Sequence, residues 1–264
     1  SAFNNQIKDY FVLDNHDICH LYYTQDGSNN QIIKCETQQQ YQTKTLTQQN
    51  TSFSPEPYSH FMEKEIMEQV DSSLRAISLG GRVLSNDCVK LGGLEMHEKE
   101  LIDLDHLILL GCGTSYHAGL LGVEYFKELS EFHSVQIFDG ADFDIKDVPK
   151  TGITGVILLS QSGETKDLHR CIQIARRNNL FLIGVVNVVD SLIAREVDCG
   201  VYLNAGREVG VASTKSFTSQ VIILSLMAIW FAQKRNVNSN KRRQYIRDLR
   251  NLHVNIENIL QKYY

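Results

Sequence analysis

The chain of 264 residues lacks several patterns that would assign it to a common class of protein. Its formal net charge of −5 leaves no broad basic field, so nucleic acid is not an expected partner. No Gly-x-x-x-x-Gly-Lys-Ser/Thr sequence occurs, which excludes a P-loop nucleotidase on motif grounds. The six cysteines are scattered without a Cys-x-x-Cys pair or a Cys/His ligand spacing. We therefore expect reduced thiols and no metal site.

A membrane-spanning run of apolar residues is missing as well. Residues 221–232 are apolar except for Ser225, but this run is too short to cross a bilayer and predicts a buried helix. No apolar leader stands at the start of the sequence. The composition, with 42% hydrophobic residues, is sufficient for one sizeable core plus an appendage, or for two small domains. These features predict a cytoplasmic protein without a membrane partner.

What is present, from residue 105 onward, is an alternation of apolar strands and helices. The predicted strands cover residues 107–110, 134–138, 156–159, 181–186 and 199–203. Strands that are apolar throughout and separated by helices indicate a parallel sheet covered on both faces. The expected fold is α/β, a three-layer α/β/α sandwich on a five-stranded parallel sheet.

The flanking regions differ in composition from this central domain. Residues 1–35 alternate like strands but are too few for a stable domain, so they predict a β remnant of another domain. Residues 36–57 are rich in Gln, Thr and Ser and predict a linker. The central domain is expected over residues 58–239. Residues 240–264 predict a C-terminal helix whose apolar stripe needs a partner.

Three small polar loops follow strands that end at the same edge of the predicted sheet. They cover residues 111–115, 160–165 and 204–214. In the second, Ser160, Ser162 and Thr165 offer hydroxyl groups where a helix begins, and Gly163 permits close approach of a ligand. A single Ser or Thr there would more often be only a helix cap. The cluster of hydroxyls favours a phosphate site.

The donors in these loops are mostly neutral. The first loop has Gly111 and Gly113, but Tyr116 stands where a dinucleotide fingerprint needs its third glycine. Hydroxyl and backbone donors suit a sugar phosphate better than a nucleoside triphosphate, which usually needs Lys and Mg²⁺. Glu164, Glu208 and Lys215 are the nearby titratable candidates, and each is as well explained by a structural role. The same is true of His117.

The three loops closely resemble a known enzyme family. The matching stretches are Cys112-Gly113-Thr114-Ser115-Tyr116-His117-Ala118, the run of residues 160–165, and the run of residues 208–218. They resemble the isomerase half of the glutamine–fructose-6-phosphate aminotransferases, also called glucosamine-6-phosphate synthases. Residues 58–69 resemble the segment that opens that half, and residues 9–23 resemble the last strands of the family's glutaminase half.

The resemblance implies both a fold and a ligand. Residues 58–239 would be the first of two sugar-isomerase (SIS) subdomains, with a flavodoxin-like strand order. The family makes glucosamine 6-phosphate, in hexosamine and UDP-N-acetylglucosamine biosynthesis, from fructose 6-phosphate and glutamine, without a metal or an organic cofactor. The implied phosphate-binding residues are Ser115, Ser160, Gln161, Ser162 and Thr165. The implied sugar-binding residues are Thr114, Val211 (through its backbone) and Ser213.

The resemblance also implies what the chain does not carry. Ser1 stands first, whereas the family's glutaminase begins with a nucleophilic cysteine, and the family's general base belongs to the second SIS subdomain. We therefore expect no catalytic residue among these 264 and no turnover by the chain alone. Expected partners are a small sugar phosphate and either a second copy of the chain or a complementary SIS chain. A non-catalytic sensor of phosphosugars or amino-sugar nucleotides, and a relic without a ligand, remain alternatives.

Overall fold

The computed structural model describes residues 9–14, 16–25, 31–37, 39–45 and 54–263. The strands are β1 (Asp9–Tyr10), β2 (Cys19–Gln25), β3 (Gln31–Thr37), β4 (Lys44–Thr45), β5 (His106–Gly111), β6 (Ser134–Asp139), β7 (Thr154–Ser160), β8 (Phe181–Val186) and β9 (Cys199–Tyr202). The α-helices are α1 (Phe61–Met67), α2 (Gln69–Ala76), α3 (Gly92–Glu95), α4 (Glu98–Ile102), α5 (Thr114–Leu129), α6 (Lys166–Arg177), α7 (Leu192–Glu196), α8 (Lys215–Lys234) and α9 (Ser239–Tyr263).

The chain divides into two compact units, Ser1–Phe53 and Ser54–Tyr264. In the first, β2 pairs antiparallel with β3 and β1 pairs antiparallel with β4. Strand pairing therefore extends into residues 36–57, which composition predicts as a linker. The Asp26-Gly27-Ser28 sequence predicts a turn, and these residues lie outside the described part of the chain. The domain boundaries after residues 35, 57 and 239 stay predictions.

The second unit contains the predicted parallel sheet, with strand order β6-β5-β7-β8-β9. Leu109 in β5 lies opposite Ile137 of β6 on one side and Ile157 of β7 on the other. Counted along this sheet from its first strand, the order is second, first, third, fourth, fifth, which is the flavodoxin-like order. The predicted fold class, including the five-stranded parallel sheet, is confirmed.

Both faces of the sheet are covered, because alternate residues of each strand point to opposite sides. Leu109 and Ile157 belong to the larger core, together with buried residues of α2, α5, α8 and α9. Leu110 and Leu158 belong to a second core, which α6 and α7 cover. Every residue of β7 is buried. This two-sided burial explains why the strands read as continuous apolar runs.

The helices differ from the sequence-based expectation in the continuity of one of them. The helical spacing of apolar residues over residues 60–77 predicts one helix, but the structure has two, α1 and α2, which meet at Glu68. Helix α8 has 20 residues and, by length and composition, is the one helix in the described part of the chain that could cross a membrane. Its length therefore does not exclude a span, but 78% of its apolar window is buried inside the protein. The prediction of a buried core helix is confirmed.

Two buried cysteines give a test of this core. Burial raises the pKa of the Cys171 thiol to about 11 and that of Cys199 to about 12. At pH 8 roughly a thousandth or less of either thiol is the reactive thiolate. We expect iodoacetamide at pH 8 to alkylate the exposed Cys35 but neither Cys171 nor Cys199, as read by peptide mass spectrometry. In urea, which unfolds the core, iodoacetamide should alkylate both Cys171 and Cys199. Alkylation of Cys199 at the rate of Cys35 without urea would contradict the packing.

Candidate functional site

The topology of the sheet places two of the three loops next to each other. The chain runs from β5 to β6 on one side and returns to β7 on the other side of β5. Strand order therefore reverses between β5 and β7, and ligands of open parallel sheets bind outside the carboxyl ends of the strands at such a point. The loop of residues 112–113 follows β5, and the loop of residues 161–165 follows β7. Helices α5 and α6 both begin at this edge.

The second loop is held in a tight conformation by its own hydroxyl groups. Ser160, buried at the end of β7, accepts a hydrogen bond from the Gly163 N–H at 2.9 Å, and its Oγ lies 2.9 Å from Thr165 Oγ1. Ser162 Oγ accepts from the N–H of Glu164 at 3.1 Å. If Ser160 donates to Thr165, the hydrogen of the Thr165 hydroxyl is available to a ligand.

Gly163 is required for this conformation. Its φ is +68°, in the left-handed region, and a Cβ built there would lie 2.0 Å from Ser191 Oγ. Thr165 is the residue before α6, but its side chain makes no capping hydrogen bond to that helix. The Thr165 hydroxyl therefore stands at the helix start without serving as a cap, contrary to the alternative reading of a single Thr.

The first loop turns sharply into α5. Gly113 has φ +57°, and a Cβ on Gly111 would lie 2.8 Å from the backbone of Ser115 and Tyr116. Ser115 is buried, and its Oγ accepts a hydrogen bond from Gln220 Nε2 of α8 at 2.9 Å. The Ser115 oxygen is thus used as an acceptor, and its hydrogen remains to be donated.

A carboxylate already fills the helix start after the third loop. Glu208 Oε1 accepts from the N–H groups of Thr214 at 2.9 Å and Ser216 at 3.2 Å, at the beginning of α8. Its Oε2 accepts from Ser213 Oγ at 2.9 Å. Because the partial positive charge of this helix end is matched by Glu208, an anion fits better at α5 and α6. Val211, at the tip of the loop, is fully exposed.

Asn187, which follows β8, connects the second loop to the third. Its N–H donates to the Gln161 carbonyl at 3.3 Å, and its Nδ2 donates to the Gly206 carbonyl at 2.7 Å. Its Oδ1 accepts from the Ala205 N–H at 3.0 Å. Neither Asn187 nor Gln220 was singled out from the sequence. The only available signal for Gln220 is an amide side chain at the start of an apolar run.

The titratable candidates of the sequence all make structural contacts. Glu164 Oε1 accepts from the Leu192 N–H at 2.9 Å, at the start of α7. Lys215, buried in α8, pairs with Glu68. Together with the capping role of Glu208, these contacts favour the structural reading of each residue. His117 is exposed and stacks edge-on against Tyr116. The described residues contain no group of three or more His, Cys, Asp or Glu that could hold a metal ion.

The chain is similar to known proteins in sequence and in fold. A family model described as SIS domain matches residues 100–230. These residues are a SIS domain. Over 229 residues the chain is 40% identical to the probable glutamine–fructose-6-phosphate aminotransferase of Acanthamoeba polyphaga mimivirus, covering 87% of this chain and 36% of that protein. Over 204 residues it is 40% identical to glutamine–fructose-6-phosphate aminotransferase 2 of Homo sapiens, covering 77% of this chain and 30% of that protein.

Solved structures show the same fold. The C-terminal domain of glucosamine-fructose-6-phosphate aminotransferase from Francisella tularensis superimposes with a TM-score of 0.69 at 28% identity, over 77% of this chain and 56% of that chain. Glucosamine-6-phosphate deaminase from Thermotoga maritima shares the fold, with a TM-score of 0.53 at 19% identity over 72% of this chain and 53% of that chain. The chain spans about a third of the length of the curated relatives it matches, 36% and 30% for the two named above.

The ion pair between Lys215 and Glu68 gives an asymmetric prediction. The Lys215 side chain is 4% exposed, whereas that of Glu68 is 31% exposed. Glu68→Gln removes the negative charge that pairs with the buried Lys215 ammonium and should lower the free energy of unfolding by about 3 kcal/mol. Lys215→Met leaves a carboxylate that water reaches and should cost about 1 kcal/mol or less. Urea unfolding of both variants measures the difference. An equal or larger loss for Lys215→Met would show that the pair itself is stabilising.

Proposed function

We propose that the SIS domain binds a sugar phosphate, fructose 6-phosphate or glucosamine 6-phosphate, as part of a glutamine–fructose-6-phosphate aminotransferase. The observation that carries this proposal is the pair of hydroxyl groups at the starts of α5 and α6. Gln220 donates to Ser115, and the Gly163 N–H donates to Ser160, so hydroxyl hydrogens are left for a ligand at neighbouring helix starts. The dianionic phosphate group of a sugar phosphate has acceptor oxygens only and matches these donors.

In this proposal the phosphate lies between the first and second loops. Ser115, Ser160, Gln161, Ser162 and Thr165 form the phosphate site, and Thr114, the Val211 backbone and Ser213 contact the sugar. The contacts of Asn187 support the participation of the third loop, because they connect Gln161 to residues 205 and 206. The aminotransferase relatives and the shared SIS fold support a phosphosugar over other anions.

Thr165→Val tests the phosphate site. Removing a hydroxyl that donates to a charged oxygen should weaken fructose 6-phosphate binding roughly tenfold or more. The control is Thr154→Val, the same substitution at the other end of β7, where the buried hydroxyl has no partner. We expect it to leave the affinity unchanged. Isothermal titration calorimetry with fructose 6-phosphate, inorganic phosphate and UDP-N-acetylglucosamine gives the affinities.

The three ligands also separate the functions. Tighter binding of fructose 6-phosphate than of inorganic phosphate or UDP-N-acetylglucosamine supports the proposal. A preference for UDP-N-acetylglucosamine would indicate a sensor of the end product instead. If the unchanged chain binds none of the three, the proposed function is wrong. Equal losses in Thr165→Val and Thr154→Val would overturn the assignment of Thr165.

We further propose that these 264 residues do not catalyse the reaction alone. Proton abstraction from the sugar needs a carboxylate or imidazole that can accept a proton at the substrate carbon. Glu164 and Glu208 are both occupied by backbone N–H groups at helix starts, which supports inactivity. A coupled assay for glucosamine 6-phosphate, with fructose 6-phosphate and either glutamine or ammonia, should show no product above the blank. Product formation with ammonia would contradict this expectation.

A further inference from the structure

Ser213 and Ser115 have opposite hydrogen-bonding directions. Ser213 Oγ lies 2.9 Å from Glu208 Oε2, and a carboxylate oxygen can only accept, so Ser213 must donate its hydrogen to Glu208. Its oxygen then has only lone pairs to offer a ligand. Ser115 instead accepts from Gln220 Nε2 and keeps its hydrogen. The first serine can therefore accept from a ligand, and the second can donate to one.

The direction at Ser213 is fixed because Glu208 is itself fixed. Its Oε1 accepts from the N–H groups of Thr214 and Ser216, so the carboxylate cannot rotate away without uncapping α8. Glu208 is partly buried, which strengthens these contacts relative to an exposed carboxylate.

A second carboxylate holds the other end of the loop. Glu65 of α1 is buried and accepts from the N–H of Val209 at 2.5 Å and from the N–H of Gly210 at 3.1 Å. A Cβ on Gly210 would lie 2.6 Å from Glu65 Oε2, so a larger residue there would displace the Glu65 carboxylate from its present position. Glu65 binds the backbone of residues 209–210, and Glu208 binds residues 213, 214 and 216, so the loop is anchored on both sides of Val211. The acceptor oxygen of Ser213 therefore has a defined position.

We propose that Glu208 determines specificity by fixing Ser213 as a hydrogen-bond acceptor. The proposal rests on the proposed function, because it concerns the sugar end of the same site. An acceptor at this position selects a ligand that presents a hydroxyl or ammonium donor there, as a sugar does. It gives nothing to the dianionic phosphate group of a sugar phosphate, whose oxygens also only accept. Glu208 acts through Ser213 and is a positioning residue.

Glu208→Gln tests this assignment by reversing the direction. The amide oxygen can still cap Thr214 and Ser216, while the amide nitrogen takes the place of Oε2 and donates to Ser213. Ser213 then becomes a donor and faces the donor of the sugar. We expect affinity for fructose 6-phosphate to fall roughly tenfold and affinity for inorganic phosphate to stay within about twofold, as measured by calorimetry.

Asp198→Asn is the matched control. Asp198 is also a carboxylate that accepts a backbone N–H, that of Leu182 at 2.7 Å, but it stands at the amino end of β8, at the opposite edge of the sheet. We expect this variant to keep the ratio of the two affinities. An equal loss for both ligands in Glu208→Gln would show that Glu208 is only a cap and would overturn the proposal.

The double variant Glu208→Gln/Ser213→Ala distinguishes an effect of Glu208 that acts through Ser213 from a direct effect of Glu208 on the ligand. Ser213→Ala should lower affinity for fructose 6-phosphate, and adding Glu208→Gln to it should cause no further loss of sugar selectivity. Additive losses would overturn the proposal.

If Glu208→Gln does not fold, binding of fluorinated analogues of fructose 6-phosphate to the unchanged chain and to Ser213→Ala tests the same proposal. One hydroxyl at a time becomes fluorine, which cannot donate. One analogue should then bind less tightly to the unchanged chain but not to Ser213→Ala, and equal binding of all analogues would overturn the proposal.

The outcomes also separate this proposal from the proposed function. Binding of fructose 6-phosphate by the unchanged chain, with the same affinity ratio in Glu208→Gln, overturns only the role of Glu208. Failure of the unchanged chain to bind fructose 6-phosphate overturns both.

Discussion

The pairing of β5 with β6 on one side and β7 on the other is the constraint on which the SIS domain depends. It places a reversal of strand order at the centre of the sheet. The helices that follow β5 and β7 both begin at that edge, on opposite faces of the sheet, and each has backbone N–H groups in its first turn that have no partner within the helix. Because β7 is buried along its whole length, the second loop is carried on a strand that cannot shift without disrupting both cores.

The chemistry of the loops is set by partners that lie far away in the sequence. Gln220 makes Ser115 an acceptor from within α8, 105 residues later, and Glu65 holds residues 209 and 210 from α1. Asn187 joins the second loop to the third. A serine hydroxyl is ambiguous in a sequence, because it can donate or accept. Here the neighbouring amide or carboxylate decides which it does.

Much of the fold could be predicted from periodicity and composition. Continuous apolar runs with turn residues between them predicted each strand of the sheet to within two residues, because burial on both faces leaves a pattern that does not depend on tertiary detail. The prediction of one continuous helix over residues 60–77 was wrong, because nothing in the apolar spacing marks the break at Glu68. The length argument for α8 also failed, because polar residues such as Gln220 and Ser219 belong to the same buried helix.

The sequence alone determined the fold class, the three hydroxyl loops and the resemblance to the aminotransferases, because these depend on residue type and local spacing. Only the tertiary structure decided which helix start is open to an anion. Residues 208–218 carry the same residue types as the other loops, with hydroxyls before a helix, yet the folded chain turns Glu208 back onto α8 and closes that site. A carboxylate that precedes a helix can cap it or face solvent, and the difference lies in backbone dihedrals that its own sequence does not specify.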